Sequence, residues 1–291
     1  MSPHAGRTQR RHPRHDGVRL HRRFPVPPLD RIAPSPYAGT PFDLTGRVAL
    51  VTGASRGLGY AIAYALAQAG ADLILWARNP RRLARAAATL HVSRRRLLIQ
   101  PVDVTNPSAV RRALQAAVRR FPRIDVLVNN AGIWGGDEAL SLRRATWDHV
   151  LHTDLTSVFC VSQAVASSMA RHRYGKIINL ASTAGVVAIA HGAAYGSAKA
   201  ALIHLTRILA LEWGPLGIRV NGIAPGVFRT DMTRDLFADR RWSRQRLSHI
   251  PLRRFGEPHE LHGLAVFLAS GASDHLTGQT IIIDGGASLT V

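Results

Sequence analysis

Residues 48–59 read Val-Ala-Leu-Val-Thr-Gly-Ala-Ser-Arg-Gly-Leu-Gly, an apolar run that leads into a glycine-rich turn. An alanine-rich segment of helical length follows the turn and extends to about Gly70. Glycines allow a tight turn whose backbone N–H groups approach a pyrophosphate at the positive end of the helix. The spacing is Gly-x-x-x-Gly-x-Gly, and its position between a strand and a helix favours a dinucleotide site over a plain surface turn. The expected contacts come from Gly53, Ser55, Arg56, Gly57, Leu58 and Gly59.

The chain on either side of this turn alternates between apolar runs of strand length and segments with helical periodicity. The predicted strands are Val48–Thr52, Leu73–Trp76, Leu97–Val102, Ile124–Asn129, Ile177–Ala181, Ile218–Ala224 and Thr280–Asp284. Near-continuous apolar strands separated by helices are typical of a parallel sheet that is covered on both faces. The prediction is an α/β fold, a doubly wound Rossmann-type sheet forming a single domain over residues 44–291.

The first 43 residues differ from the rest of the chain. They contain eight arginines, several histidines and a proline-rich stretch, and they show no helical or strand periodicity. Such a segment buries too little apolar surface to offset the entropy of ordering it, so we expect a disordered basic arm. No apolar run of the length that an export signal needs follows Arg22-Arg23, so export is not predicted.

The formal net charge of +20 raises the question of a nucleic acid or an anionic surface as partner. The basic residues are almost all arginines spread along the chain, with only two lysines, which fits a general arginine bias at least as well. We therefore expect no nucleic-acid partner. No apolar run is long enough to span a membrane, and the single cysteine, Cys160, excludes an internal disulfide. A cytoplasmic protein without membrane or metal is predicted.

The end of the second predicted strand indicates which dinucleotide binds. NAD sites usually place an acidic residue here to bind the ribose 2′-hydroxyl, but this strand ends in Trp76-Ala77-Arg78. The small Ala77 leaves room for a 2′-phosphate, and Arg78 can pair with it through two hydrogen bonds. Arg56 in the glycine turn is a second candidate. The sequence favours NADP(H) over NAD(H), the alternative being that both arginines are ordinary surface residues.

Tyr195 and Lys199 form the predicted catalytic pair. They lie four residues apart in the predicted helix Tyr195–Trp213, so both side chains occupy the same face. A tyrosine hydroxyl ordinarily ionises near pH 10, and a neighbouring ammonium stabilises the phenolate and brings ionisation toward neutral pH. In the reducing direction the hydroxyl donates its proton to the developing alkoxide. Ser182, which follows the strand Ile177–Ala181, is predicted to hydrogen-bond the substrate oxygen.

These motifs together resemble the short-chain dehydrogenase/reductase family over roughly residues 42–291. The matching segments are Thr52–Gly59, Asp103-Val104, Asn129-Asn130-Ala131-Gly132, Ser182, Tyr195 with Lys199, Pro225-Gly226 and Thr230. The resemblance implies that Asp103 and Val104 flank the adenine and that Asn130, Ala131 and Gly132 line the cofactor. It also implies that Thr230, after Pro225 and Gly226, holds the nicotinamide carboxamide. A homotetramer, or less often a dimer, built through helix packing is implied as well.

One residue departs from the family pattern. Members usually carry an asparagine seven residues after the position of Trp147, where it organises a water that links the lysine to solvent, and this chain has Asp154. We count Asp154 among the catalytic candidates. Its main-chain carbonyl would still anchor the water, or its carboxylate would instead pair with Lys199 and weaken the effect of that lysine on Tyr195.

The substrate is indicated only by loosely matching segments. Four stretches look most like gluconate 5-dehydrogenases, namely Phe42–Gly46, Leu155–Phe159, Gly175–Asn179 and Arg254–Pro258, and 3-oxoacyl carrier-protein reductases share much of the pattern. Small apolar residues dominate 183–192 on the substrate side, and an arginine-rich segment after Thr230 is placed as a lid. The leading hypothesis is an oxidoreductase for a secondary alcohol and its ketone, a sugar acid or a 3-oxoacyl group. A non-catalytic dinucleotide-binding regulator is the rival of another class.

Overall fold

The computed structural model describes residues 40–290; residues 1–39 and Val291, which include most of the predicted arm, lie outside the described residues. The described chain contains a parallel sheet of seven strands in the order β3-β2-β1-β4-β5-β6-β7. The strands are β1 (Val48–Thr52), β2 (Asp72–Ala77), β3 (Leu97–Pro101), β4 (Val126–Asn129), β5 (Gly175–Leu180), β6 (Ile218–Pro225) and β7 (Thr280–Ile283). Each lies where the sequence predicts it, with ends that differ by a residue or two, which confirms the predicted fold class.

The α-helices among the described residues are α1 (Gly57–Gln68), α2 (Pro80–Ala88), α3 (Pro107–Arg120), α4 (Arg144–Leu151), α5 (Ser157–Arg171), α6 (Ala193–Trp213), α7 (Arg234–Ala238), α8 (Arg240–Ser248) and α9 (His262–Ala269). The side chains of Asn79 and Asn106 cap α2 and α3. A proline follows each cap, where its fixed φ suits the first helical turn and its missing N–H costs nothing. Helix α6 begins at Ala193, two residues before the predicted start.

The strands divide the interior into two cores, one on each face of the sheet. In β1, Ala49 and Val51 face one core while Val48 and Leu50 face the other, as the two-residue period of a strand requires. The first core packs against α1, α2 and α9, and the second against α3, α5 and α6. Each fully buried aliphatic side chain contributes about 1.5–3 kcal/mol relative to exposure. The two helical layers therefore fix the sheet.

The strand order reverses between β1 and β4, and this reversal places the functional site. Strands β1 and β4 are neighbours, with Val51 in register with Val128, while the chain leaves them toward opposite sides of the sheet. A crevice opens beyond the carboxyl ends of parallel strands at such a point. The glycine turn after β1 lies there. Within residues 40–290, no helix is both long and apolar enough to cross a bilayer.

Candidate active site

The glycine turn after β1 ends in an exposed helix N-terminus. Arg56 precedes α1 in an extended conformation, and none of the described side chains caps the first turn of this helix. Gly57 adopts φ +57°, a left-handed conformation that L side chains rarely take. The N–H groups of the first turn are thus directed at the crevice with the positive end of the helix dipole behind them. A phosphate or pyrophosphate fits this N-terminus. Gly53, Ser55 and Leu58 are half-buried and Gly59 is buried.

Asn130 ties the end of β4 to the glycine turn. Its side-chain Nδ2 donates to the carbonyl oxygens of Thr52 at 3.0 Å and Gly53 at 3.3 Å. The backbone N–H groups of Asn130 and Ala131 both donate to Thr52 Oγ1, at 3.0 and 3.1 Å. Four hydrogen bonds therefore hold the residues predicted to line the cofactor against the loop predicted to bind its phosphates.

The end of β2 carries the arginine that the sequence singles out. Ala77 is buried, Arg78 after it is exposed, and Asn79 is engaged in capping α2 through a 2.9 Å bond from the N–H of Arg82. Burial by itself would raise the pKa of Asp103, but hydrogen bonds from Thr105 and the positive charge of Arg78 lower it. Arg78 and Asp103 thus border the same end of the crevice, with Val104 buried beside them. The position after β2 fits an anion, because an arginine stands where a carboxylate would be needed for a free 2′-hydroxyl.

Arg56, the second candidate for a 2′-phosphate, has a partner within the chain. Its Nη1 lies 3.2 Å from Asp231 Oδ2, and both side chains remain substantially exposed. Arg234 pairs with the other carboxylate oxygen of Asp231 at 2.6 Å. The ion pair joins the glycine turn to the segment that follows Thr230.

Residues 225–230 form the opposite wall of the crevice. Pro225 ends β6 and accepts a 3.3 Å hydrogen bond from Thr183 Oγ1, while the N–H of Gly226 donates to Ile283 at 2.9 Å. Thr230 faces the glycine turn, since a Cβ built on Gly57 would lie 3.7 Å from Thr230 Cβ. Thr230 is fixed by Thr233, whose Oγ1 accepts from the Thr230 N–H at 3.0 Å.

Tyr195 and Lys199 lie on one face of the first turns of α6. Tyr195 is half-buried, Lys199 is buried, and the Lys199 Nζ is 5.4 Å from the centroid of the tyrosine ring. Ser182 begins the short turn 183–185, which packs against α6, and its Oγ accepts a 3.1 Å hydrogen bond from the N–H of Ala184. The three predicted residues therefore belong to two adjoining elements at the carboxyl edge of the sheet.

Asp154 reaches Lys199. The Asp154 carboxylate is fully buried, and its Oδ2 lies 3.0 Å from Lys199 Nζ. Lys199 Nζ also donates to the carbonyl of Leu180 at 2.9 Å. Burial by itself would lower the pKa of Lys199, but the charges of Asp154 and Tyr195 outweigh burial and raise it. Of the two possibilities open from sequence, the structure contains the carboxylate–lysine pair.

Trp134 is a residue of this site that sequence reasoning missed. Its ring lies 5.0 Å from that of Tyr195 in an edge-on arrangement, and 46% of the residue is exposed. A large aromatic side chain left half open beside a catalytic candidate is a typical substrate-contacting surface. Its place two residues after the Asn-Asn-Ala-Gly motif was the available signal.

The predicted lid consists of α7 and α8. Aromatic rings anchor it, since Phe237 packs edge-on against Phe255 at 4.8 Å and Trp242 stacks on Phe255 at 6.1 Å. Arg229 lies over the Phe237 ring at 4.9 Å and pairs with Glu257 at 3.1 Å. Most lid arginines are exposed, as expected for solvated helix faces. A cavity of about 770 Å³ lies between this lid and α1.

A family model described as enoyl-(acyl carrier protein) reductase matches residues 53–288. Gluconate 5-dehydrogenase of Gluconobacter oxydans (strain 621H) is 38% identical over 250 residues, which cover 86% of this chain and 98% of that protein. The 3-oxoacyl-acyl-carrier-protein reductase of Vibrio cholerae serotype O1 is 38% identical over 244 residues, covering 84% of this chain and 98% of that protein.

Solved structures of gluconate dehydrogenases are also similar to this chain. The crystal structure of a gluconate 5-dehydrogenase from Burkholderia cenocepacia J2315 in complex with NADP and tartrate has a TM-score of 0.82 and 38% identity. The match covers 86% of this chain and 98% of that chain. A putative gluconate dehydrogenase from Agrobacterium tumefaciens reaches a TM-score of 0.84 at 38% identity, covering 87% of this chain and 100% of that one.

Proposed function

Because this chain belongs to the short-chain dehydrogenase/reductase family, we propose that it is an NADP(H)-dependent enzyme interconverting a secondary alcohol and a ketone. The observation that carries the proposal is the placement of Tyr195 and Lys199 on one face of α6, at the same sheet edge as the glycine turn. A proton donor beside a dinucleotide crevice is what carbonyl reduction requires.

A bound NADPH would supply the hydride, and the residues of the crevice would hold it. The first-turn N–H groups of α1 would bind the pyrophosphate, and Arg78 and Arg56 would bind the 2′-phosphate. Asp103 and Val104 would flank the adenine, and Thr230 would hold the carboxamide. The wall of Asn130, Ala131, Gly132, Pro225 and Gly226 completes the crevice. NADP in the Burkholderia relative supports the choice of cofactor.

Tyr195 transfers the proton. In reduction, the carbonyl carbon gains a hydride and the carbonyl oxygen takes the hydroxyl proton of Tyr195, so a ketone becomes a secondary alcohol and Tyr195 becomes a phenolate. Ser182 donates a hydrogen bond to the same oxygen and stabilises its developing negative charge. Lys199, whose Nζ donates a hydrogen bond to the Leu180 carbonyl, lies beside Tyr195 and stabilises the phenolate.

A sugar acid is the proposed substrate. Gluconate 5-dehydrogenase and 2-dehydro-3-deoxy-D-gluconate 5-dehydrogenase are among the similar proteins, which supports this class. A 3-oxoacyl group on a carrier protein is the second candidate, supported by 3-oxoacyl reductases at nearly the same identity. Trp134 offers a face for the carbon skeleton of either substrate, and the apolar loop 183–190 borders the same site.

We further propose a cytoplasmic homotetramer, or a dimer, assembled through helix faces. Apolar side chains are exposed on two of the helices that pack on the same face of the sheet, Phe159 on α5 and Ile208 and Leu211 on α6, with Leu211 80% exposed. Apolar side chains at such helix faces would be removed from water when a second copy packs on them. The molar mass of the wild type and of Leu211→Asp, measured by light scattering, tests this assembly. A monomeric wild type would contradict it.

A substrate panel tests the proposed activity. Purified protein is assayed for NADPH oxidation with the 5-ketone of gluconate, with a 3-oxoacyl thioester and with simple ketones. A higher kcat/KM for the sugar-acid ketone than for the other substrates supports the proposal. A higher kcat/KM for the thioester supports the 3-oxoacyl group as the substrate. NADPH binding without turnover of any ketone would favour the regulatory alternative.

A further inference from the structure

The site contains a buried carboxylate, Asp154, next to Lys199. The reaction proposed above does not require this carboxylate. Asp154 Oδ2 meets Lys199 Nζ at 3.0 Å, and Asp154 Oδ1 accepts a 2.8 Å hydrogen bond from the N–H of Ile133. Lys199 needs no carboxylate to be held, because the Leu180 carbonyl already accepts from its Nζ. The carboxylate therefore adds a charge to the site.

The backbone around Asp154 is built to place that charge. Residues His152–Thr156 form a π-helical turn between α4 and α5, an element whose extra residue redirects side chains and which recurs at functional sites. A Cβ built on Gly132 would lie only 2.7 Å from Asp154 Oδ2. Gly132 thus leaves the space that the carboxylate occupies.

Few ionisable groups lie on the elements around Asp154 and Lys199. Helix α6 contributes Tyr195 and Lys199, and the π turn contributes Asp154. On α4, Arg144 and Asp148 pair with each other at the exposed surface, and His149 is exposed. The His152 ring, in the same turn, is bonded to the carbonyl of Thr105 at 3.1 Å. The segments holding Ile133 and Leu180 contribute backbone groups. One buried cation is therefore met by one buried anion beside Tyr195.

We propose that Asp154 is a positioning residue that offsets the charge of Lys199 beside Tyr195, so that the enzyme is poised for carbonyl reduction rather than alcohol oxidation. The inference rests on the proposed function. An ammonium favours the phenolate by Coulomb attraction, and a carboxylate in contact with that ammonium cancels much of the attraction. A protonated Tyr195 is the form that donates in reduction, whereas alcohol oxidation needs the phenolate.

The pH dependence of the Asp154→Asn variant tests the inference. Asparagine has nearly the same shape and keeps an oxygen for the Ile133 N–H, but it removes the charge. We expect the pH–rate profile of alcohol oxidation to move about one pH unit or more toward acid, which is roughly a tenfold gain at neutral pH. Asp148→Asn is the control, because Asp148 is an exposed carboxylate of α4 paired with Arg144 at 2.8 Å. An unchanged profile for Asp154→Asn, or a shift toward alkali, would overturn the proposal.

A measurement without substrate separates this inference from the proposed function. The ultraviolet absorbance of phenolate is titrated in the wild type and in Tyr195→Phe, and the difference isolates Tyr195 from the other tyrosines. We expect no ionisation of Tyr195 around neutral pH in the wild type, and ionisation at lower pH in Asp154→Asn than in the wild type. Ionisation near neutral pH in the wild type would overturn the proposal even if Asp154→Asn fails to fold. Absence of turnover with every ketone would instead count against the proposed function.

Discussion

Arg56 Nη1 and Asp231 Oδ2 lie 3.2 Å apart and connect the glycine turn to the segment after Thr230. If Arg56 binds the 2′-phosphate, that phosphate competes with Asp231 for the same guanidinium. We predict that Asp231→Asn lowers the Kd for NADPH and leaves the Kd for NADH unchanged. Exposed pairs contribute about 0–1 kcal/mol, so the gain is at most about fivefold. Isothermal titration with both nucleotides measures it, and an equal change for NADH would disprove the competition.

Arg78 is predicted to carry the larger share of the preference for NADPH. It follows β2 directly and is exposed, whereas the side chain of Asn79 is engaged in capping α2. A hydrogen bond to a charged group contributes about 1.5–3 kcal/mol, so Arg78→Ala should weaken NADPH binding roughly tenfold or more. Arg81→Ala, an exposed arginine in the first turn of α2, serves as control. If NADPH binding survives Arg78→Ala unchanged, the assignment of the 2′-phosphate is wrong.

Trp134 should govern substrate affinity. Its ring stands edge-on to Tyr195, and about half of the residue is exposed. We expect Trp134→Ala to raise KM for the ketone several-fold while kcat changes little, because the lost contact serves binding rather than proton transfer. Trp134→Phe should restore most of the affinity. A selective loss of kcat would show instead that Trp134 orients Tyr195.

Glu260 gives a prediction about stability and pH. Arg254 binds its carboxylate through two hydrogen bonds of 2.6 and 2.7 Å, and the Glu257 N–H donates to it at 2.8 Å. These bonds lower the pKa of Glu260 from 4.5 to about 2. A depressed folded-state pKa stabilises the protein above the unfolded value and loses that effect as pH falls toward 2.

The Glu260→Gln variant tests this linkage. Its Tm should be a few degrees below that of the wild type at neutral pH, and the difference should shrink as pH falls from about 4.5 toward 2. Glu212→Gln, at an exposed glutamate of α6, is the control. A Tm difference that does not depend on pH would contradict the role assigned to the Arg254–Glu260 pair.

Sequence periodicity was sufficient for the sheet because its inner strands are buried on both faces. Runs such as Val48–Thr52 and Leu73–Trp76 are almost entirely apolar, and no competing periodicity obscures them. The strand ends were less well defined. Strand β4 begins at Val126 rather than Ile124, since Asp125 is buried at the strand entrance, where its carboxylate accepts from the Val48 N–H.

The site was predictable where residues act through local spacing and not where partners come from distant segments. The one-turn separation of Tyr195 and Lys199 follows from helix geometry. The pairing of Arg56 with Asp231 joins residues 175 positions apart, and no local pattern indicates it. The π turn around Asp154 is likewise set by packing, because Gly132 and Lys199 must both approach its carboxylate.

Single-turnover oxidation of NADPH by Tyr195→Phe, with saturating sugar-acid ketone, tests the acid/base role most directly. Phenylalanine keeps the ring packing against Trp134 but has no proton to donate, so the hydride-transfer rate should fall about a hundredfold or more with NADPH affinity retained. Tyr174→Phe, directly before β5 and so at the amino ends of the strands, should react at the wild-type rate. Tyr195→Phe turning over as fast as the wild type would contradict the assignment of Tyr195 as proton donor.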